Sequence, residues 1–241
     1  MTVTRGKEHT CLGMNITYTN DRTAVISMKS YLQEAIDKCG MEITRTSNTP
    51  ATQTLFAVDN LLARLDSNTA EVFHSVVAKL LYAALRSCPD ILLAVIFLCT
   101  RVSKSIGEDR AKLKRLLEYI KGTIELEYTI GADDLGRFCT WIDASHAVHP
   151  DMKSHTGGIM SFGLGSFVPK MMKQKLTQRV QQRRRLLVGA SDYLPHTLWV
   201  TMFMEAQGYA IQENYLKQAN ENAIKLEKNS RSLAGAKQVA L

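Results

Sequence analysis

The stretch Arg137-Phe138-Cys139-Thr140-Trp141-Ile142-Asp143 decides the fold. It has the composition and period of a strand, and it is followed by two further strand-like runs, 157–162 and 166–170, with glycines at the turns between them. Beyond these the segment type alternates. The spacing predicts a helix over 192–207 closed by Gly208, a strand over 209–216 and a helical stretch over 220–228. Strands followed by alternating helix and strand build a layered domain of the α+β or α/β class, so a domain is expected to begin near Asp133.

Upstream the pattern is mostly helical. Residues 11–28 alternate around Thr19-Asn20-Asp21-Arg22, which predicts a β-hairpin. Met28, Leu32, Ala35, Ile36 and Cys39 then recur at helical spacing, with Gly40 as C-cap. Residues 44–54, which contain Pro50, read as a loop. Asn68-Thr69-Ala70-Glu71 has the form of a capping box ahead of the apolar face Phe73, Val76, Val77 and Leu80. Pro89 divides this helix from a hydrophobic one over 91–102. A third helix, 108–121, buries Leu113, Leu116, Leu117 and Ile120 and is expected to turn Arg110, Lys112, Lys114 and Arg115 outward as one basic face.

Composition excludes several classes. The chain has 241 residues, 45% hydrophobic and 22% charged, which is globular rather than disordered. Its net charge of +7 permits contact with a polyanion without naming one. Cysteines 11, 39, 88, 99 and 139 include no close pair of the zinc-knuckle or redox type, so a reduced, intracellular setting, cytoplasmic or nuclear, is expected. The longest apolar run, 91–99, falls well short of the roughly 20 residues of a membrane span. Residues 1–11 are too polar for a secretory signal.

A set of short strings, in order, carries a resemblance. These are Cys11-Leu12-Gly13-Met14-Asn15-Ile16, Arg86-Ser87-Cys88-Pro89-Asp90-Ile91, Leu113-Lys114-Arg115-Leu116-Leu117-Glu118-Tyr119-Ile120-Lys121-Gly122-Thr123, Trp141-Ile142-Asp143-Ala144-Ser145, Thr156-Gly157-Gly158, Lys173-Gln174-Lys175-Leu176 and Glu227-Lys228-Asn229. Together they resemble the Pol polyprotein of copia-type retrotransposons. The resemblance implies the end of a reverse transcriptase palm and the start of its thumb over 1–43, a helical thumb or connection region over 44–132, and a ribonuclease H-like mixed sheet with helices over 133–241, incomplete at its C-terminus. Function must still be argued from the sites.

The resemblance places the polymerase aspartate pair upstream of Leu12-Gly13, so no polymerase activity is expected of this chain alone. Asp133-Asp134 is the only adjacent aspartate pair, and its flanking Gly131 and Gly136 mark it as a solvated linker. A ribonuclease H site in the family uses about four carboxylates to hold two Mg²⁺ ions. The resemblance places the first on Asp143. The second is a Glu ahead of Leu187-Val188-Gly189, but residues 174–191 contain no acid. Ala219, in Gln218-Ala219-Asn220-Glu221-Asn222-Ala223-Ile224, stands where the third is expected. The fourth would lie beyond Glu227-Lys228-Asn229. Codons for the family's Ser-Ser-Thr-Glu-Ala, read one base late, yield Val180-Gln181-Gln182-Arg183-Arg184, which suggests a compensated frameshift in a degenerate element. Asp143 is thus expected as the remnant of a metal site, with Mg²⁺ not stably held and no hydrolysis. Glu205, Glu213 and Glu221 are the conceivable substitute ligands.

Lys170, Lys173, Lys175, Arg179, Arg183, Arg184 and Arg185 form a run of seven cations with no acid, a candidate for weak, non-specific contact with the phosphates of an RNA–DNA hybrid or duplex. A self-repelling solvated segment is the alternative. Relative to the family pattern, the three arginines, two lost glutamates and Ala219 account for six of the seven excess charges. His146, His149, Asp151 and His155 are dense enough to raise a zinc site, but Pro150 breaks their spacing and the resemblance puts them in a loop. Ser191, Asp192 and His196 are too close along a helix start for a nucleophilic triad, and an N-cap is expected of Ser191 or Asp192. Tyr193, Trp199 and Phe203 are expected in the core. The reading is an inactive Pol remnant that binds nucleic acid. Its alternatives are a ribonuclease with an altered site and a protein-interaction fragment.

Overall fold

The computed structural model describes residues 5–59, 61–145, 153, 155–173 and 182–218. Its fold is α+β, with two four-stranded sheets and helices gathered around two hydrophobic cores. Strands β1 (Glu8–Cys11), β2 (Met14–Tyr18) and β3 (Ala24–Ser27) form an antiparallel meander, so the expected single hairpin is two. The extra turn is Leu12-Gly13. Both residues take positive φ, 51° and 78°, which is the left-handed pair that joins tightly paired strands.

The helices α1 (Lys29–Asp37), α2 (Ser67–Ala84), α3 (Leu92–Cys99) and α4 (Gly107–Thr123) follow, and their apolar faces meet in the larger core. Leu80, Leu92, Phe97, Leu98, Leu116 and Leu117 are fully buried there. Each such side chain contributes roughly 1.5–3 kcal/mol by leaving water. The N-cap of α2 is Asp66, not the box starting at Asn68. Its carboxylate accepts from the Thr69 amide at 3.0 Å, while Asn68 already lies in the first turn. In α4 the fully buried Asp109 accepts from the Ile106 amide at 3.0 Å and from Arg101 Nε at 3.1 and 3.0 Å.

The basic face of α4 is a clamp rather than an open surface. Arg110 donates to the Gly40 carbonyl at 3.1 Å, Arg115 to Thr49 Oγ1 at 2.9 Å, Lys121 to the Ile43 carbonyl at 2.6 Å and Lys112 to the Ala57 carbonyl. The long loop after α1 has few backbone partners of its own, so its carbonyls take these cations instead of water. Strand β4 (Tyr128–Ile130) then returns to pair with β3. Three residues are too few for their period to be read in the sequence.

The boundary expected near Asp133 falls between β4 and β5 (Arg137–Ser145). With β6 (His155–Ser161), β7 (Val168–Lys173) and β8 (Glu213–Gln218), β5 forms a sheet of order β7-β6-β5-β8, in which only the β5–β8 pair is parallel. Helix α5 (Gln182–Ala206) makes the crossover from β7 to β8 and covers one face. Tyr193, Thr197, Val200 and Met204 turn to the sheet and pack on Phe138, Ile142 and Met160. Gly158 allows this approach, because a Cβ there would lie 2.7 Å from the Tyr193 ring.

Two expectations for α5 are corrected. The helix begins ten residues earlier than its sequence pattern predicts, so Ser191 and Asp192 lie within it and are not caps. Trp199 and Phe203 are 61% and 48% exposed and stack on each other in solvent, with ring centroids 5.3 Å apart; only Tyr193 of the three aromatics is in the core. The physical reason is angular, since residues 193, 197, 200 and 204 share the buried stripe and 199 and 203 fall on the far side of the same helix. The two sheets are joined where Tyr128 Oη donates to the Ser166 carbonyl and the Gly131 amide to the Leu164 carbonyl, both at 2.8 Å. Among the described residues no helix is long and apolar enough to cross a membrane.

Candidate nucleic-acid interface

Along β5 the side chains alternate between faces, so Phe138, Thr140 and Ile142 meet α5 while Trp141 and Asp143 share the other face. Asp143 is exposed, inside β5 rather than just beyond it, and stands in register with Gly157 of β6. On β8, Lys217 stands opposite Trp141, and its ammonium lies 5.1 Å from the centre of the indole. These residues open into a pocket of about 680 Å³, which Leu93 of α3 and Met171 of β7 close on the side of the helical core.

The donor set beside Asp143 does not fit a pair of Mg²⁺ ions. Mg²⁺ takes near-octahedral oxygen ligands and two ions need several carboxylates between them. The described lining holds one carboxylate, together with the cation of Lys217 and the imidazole of His155. Among the described residues no three His, Cys, Asp or Glu side chains gather where they would hold a metal. Glu213 is no substitute, because it pairs with Arg137 at 2.8 Å, six residues down the strand register and so about 20 Å from Asp143. Glu205 lies in the last turn of α5, the helix that covers the opposite face. Ala219 and Glu221 lie outside the described residues.

The cationic run does not act as one surface. Lys170 and Lys173 are three apart on β7, so they point to opposite faces of the sheet. Lys170 turns toward α5, where its ammonium donates to His196 Nε2 at 2.5 Å and lies 5.6 Å from the centre of the Tyr193 ring. Burial, and then the charge of Lys170, hold the His196 pKa below its ordinary value, which keeps the acceptor nitrogen neutral. Lys173 is on the Asp143 face, in register with His155. Arg183, Arg184 and Arg185 fall in the first turn of α5, and Lys175 and Arg179 lie outside the described residues. Sequence reasoning missed Lys217, which is the cation nearest Trp141, because the expected strand stopped at 216. The alternation of β8, extended by one residue, was the signal.

The remaining constellations have plain roles. His155 is not in a loop. It opens β6, is 4% exposed, and has its ring centre 6.1 Å from that of Phe56; burial lowers its pKa. His146, His149 and Asp151 lie outside the described residues. Asp134 accepts from the Gly136 amide at 2.8 Å in an exposed bend, as a linker residue does. All five cysteines are free thiols. No protein-family model matches the chain, and no solved structure matches it.

Proposed function

We propose that this chain is a remnant of a copia-type reverse transcriptase and ribonuclease H polyprotein that no longer hydrolyses its substrate and retains weak, non-specific binding to RNA–DNA hybrid or duplex. The observation that carries this reading is the single carboxylate, Asp143, on the open face of the central strand, with Lys217 and Lys173 on the same face. One acid with two lysines favours a phosphate backbone over a pair of divalent ions. The absence of any acid across 174–191 and the alanine at 219 support the same conclusion.

The test is incubation of the purified chain with a labelled hybrid and either Mg²⁺ or Mn²⁺. The expected outcome is no cleavage together with salt-sensitive binding. Metal-dependent cleavage that Asp143→Asn abolishes would instead establish a ribonuclease with an altered site. A second reading, a protein-interaction fragment, is favoured by one feature, the exposed Trp199 and Phe203 stack flanked by Leu198 and Met202, which are 55% and 69% exposed. Absence of hybrid binding at low salt, with concentration-dependent self-association that Trp199→Ser removes, would select it.

A further inference from the structure

The pocket beside Asp143 is shaped for more than a phosphate backbone. Its floor is bare strand, since Gly157 and Gly158 stand opposite Asp143 and Ile142 and Gly157 presents only backbone to the open face. Its walls are apolar, made by Leu93, Ile159 and Met171, with the Trp141 indole at one end. Two charged groups of opposite sign line it, the Asp143 carboxylate and the Lys217 ammonium beside that indole. A flat apolar slot with an acceptor and a cation selects a planar ring that carries N–H donors and a linked anion. A continuous duplex offers no such group, because its bases are stacked and paired.

We infer that the pocket takes one unpaired nucleotide, with its base along the Gly157 backbone between Met171 and Leu93, its phosphate on Lys217, and the N–H groups of its pairing edge on Asp143. A carboxylate only accepts, so the edge must donate. Guanine presents two adjacent N–H groups there, whereas adenine presents a single amino group, so guanine binds most tightly. The volume of about 680 Å³ lies within the range of small-ligand sites. The inference rests on the reading that Asp143 is no longer committed to paired metal ions. It stands apart from backbone binding, which anisotropy with a blunt hybrid reports separately.

The chain has two tryptophans, so Trp199→Phe leaves Trp141 as the only indole. In that background, with EDTA present, Trp141 emission is titrated with guanosine 5′-monophosphate, adenosine 5′-monophosphate, guanosine and inorganic phosphate. The expected result is saturable quenching by guanosine monophosphate, roughly tenfold weaker binding of guanosine for the loss of one charge-assisted contact, and no response to phosphate. Lys217→Ala brings guanosine monophosphate down to the level of guanosine, Asp143→Asn removes the preference for guanine over adenine, and Leu93→Tyr, which fills the slot from its rim, abolishes quenching. A duplex with a one-nucleotide guanosine overhang, set against a blunt one, distinguishes a strand end from a free nucleotide as the source. No quenching at 25-fold above about 0.1 mM nucleotide while far-UV circular dichroism reports a folded chain, or quenching that neither Asp143→Asn nor Lys217→Ala changes, would overturn the inference.

Discussion

If Lys217 contacts phosphate and Lys170 does not, the two lysines differ in one measurable quantity. Each phosphate contact releases a counterion, and the slope of log K against log salt changes by about 0.9 per contact. Lys217 is exposed on the Asp143 face, whereas the Lys170 ammonium is turned beneath α5 onto His196. Lys217→Ala should therefore flatten the slope by about 0.9 and weaken binding roughly eightfold at 0.1 M salt relative to 1 M. Lys170→Ala should leave the slope unchanged and lower stability instead, because it removes the donor to His196. The assay is fluorescence anisotropy of a labelled hybrid across a series of KCl concentrations, with thermal unfolding of both variants in parallel. Equal slopes for the two variants, or a larger change for Lys170→Ala, would refute the assignment of the faces.

Asp109→Asn keeps an acceptor for the Ile106 amide but leaves the Arg101 guanidinium buried without its counter-charge, and it should cost about 3–5 kcal/mol in urea unfolding followed by circular dichroism. Arg101→Met combined with Asp109→Leu should cost less than Asp109→Asn alone; a strictly additive double variant would argue against the pair acting as a unit. His155 and His196 are both held below the ordinary value of 6.5, so the unfolded chain binds more protons than the folded one as pH falls through 6.5. Stability should then decline from pH 7 toward pH 5, and His155→Phe should make the decline shallower in a pH series of melting temperatures. The coding sequence tests the frameshift directly, because the alternative frame over codons 180–184 must encode the acidic motif Ser-Ser-Thr-Glu-Ala.

The long apolar periods were legible: α2, α4 and the strands β5 to β7 stand where their patterns put them, to within a few residues. What escaped was set by partners distant in sequence. β4 is too short to show a period and exists because β3 offers it an edge. Trp199 and Phe203 have helical spacing relative to Tyr193, but spacing alone does not fix which stripe faces a sheet that lies elsewhere in the chain. The cations of α4 looked solvated because the carbonyls they hold lie 55 to 78 residues away. Of the candidate site, Asp143 was found through a motif, and Lys217 was missed because only the β5–β8 register brings it to Trp141.

The pairing of β3 with β4 has a consequence for how the chain acquires its fold. Ala24 is matched with Ile130, so the first sheet stays open until more than a hundred residues have been made and four helices have docked between its third and fourth strands. Until then β3 presents an unpaired edge, the kind of surface that recruits strands from other molecules. A chain cut before Tyr128 keeps that edge exposed indefinitely. Its propensity to aggregate, compared with that of a chain ending after Ile130, measures how much these three residues protect.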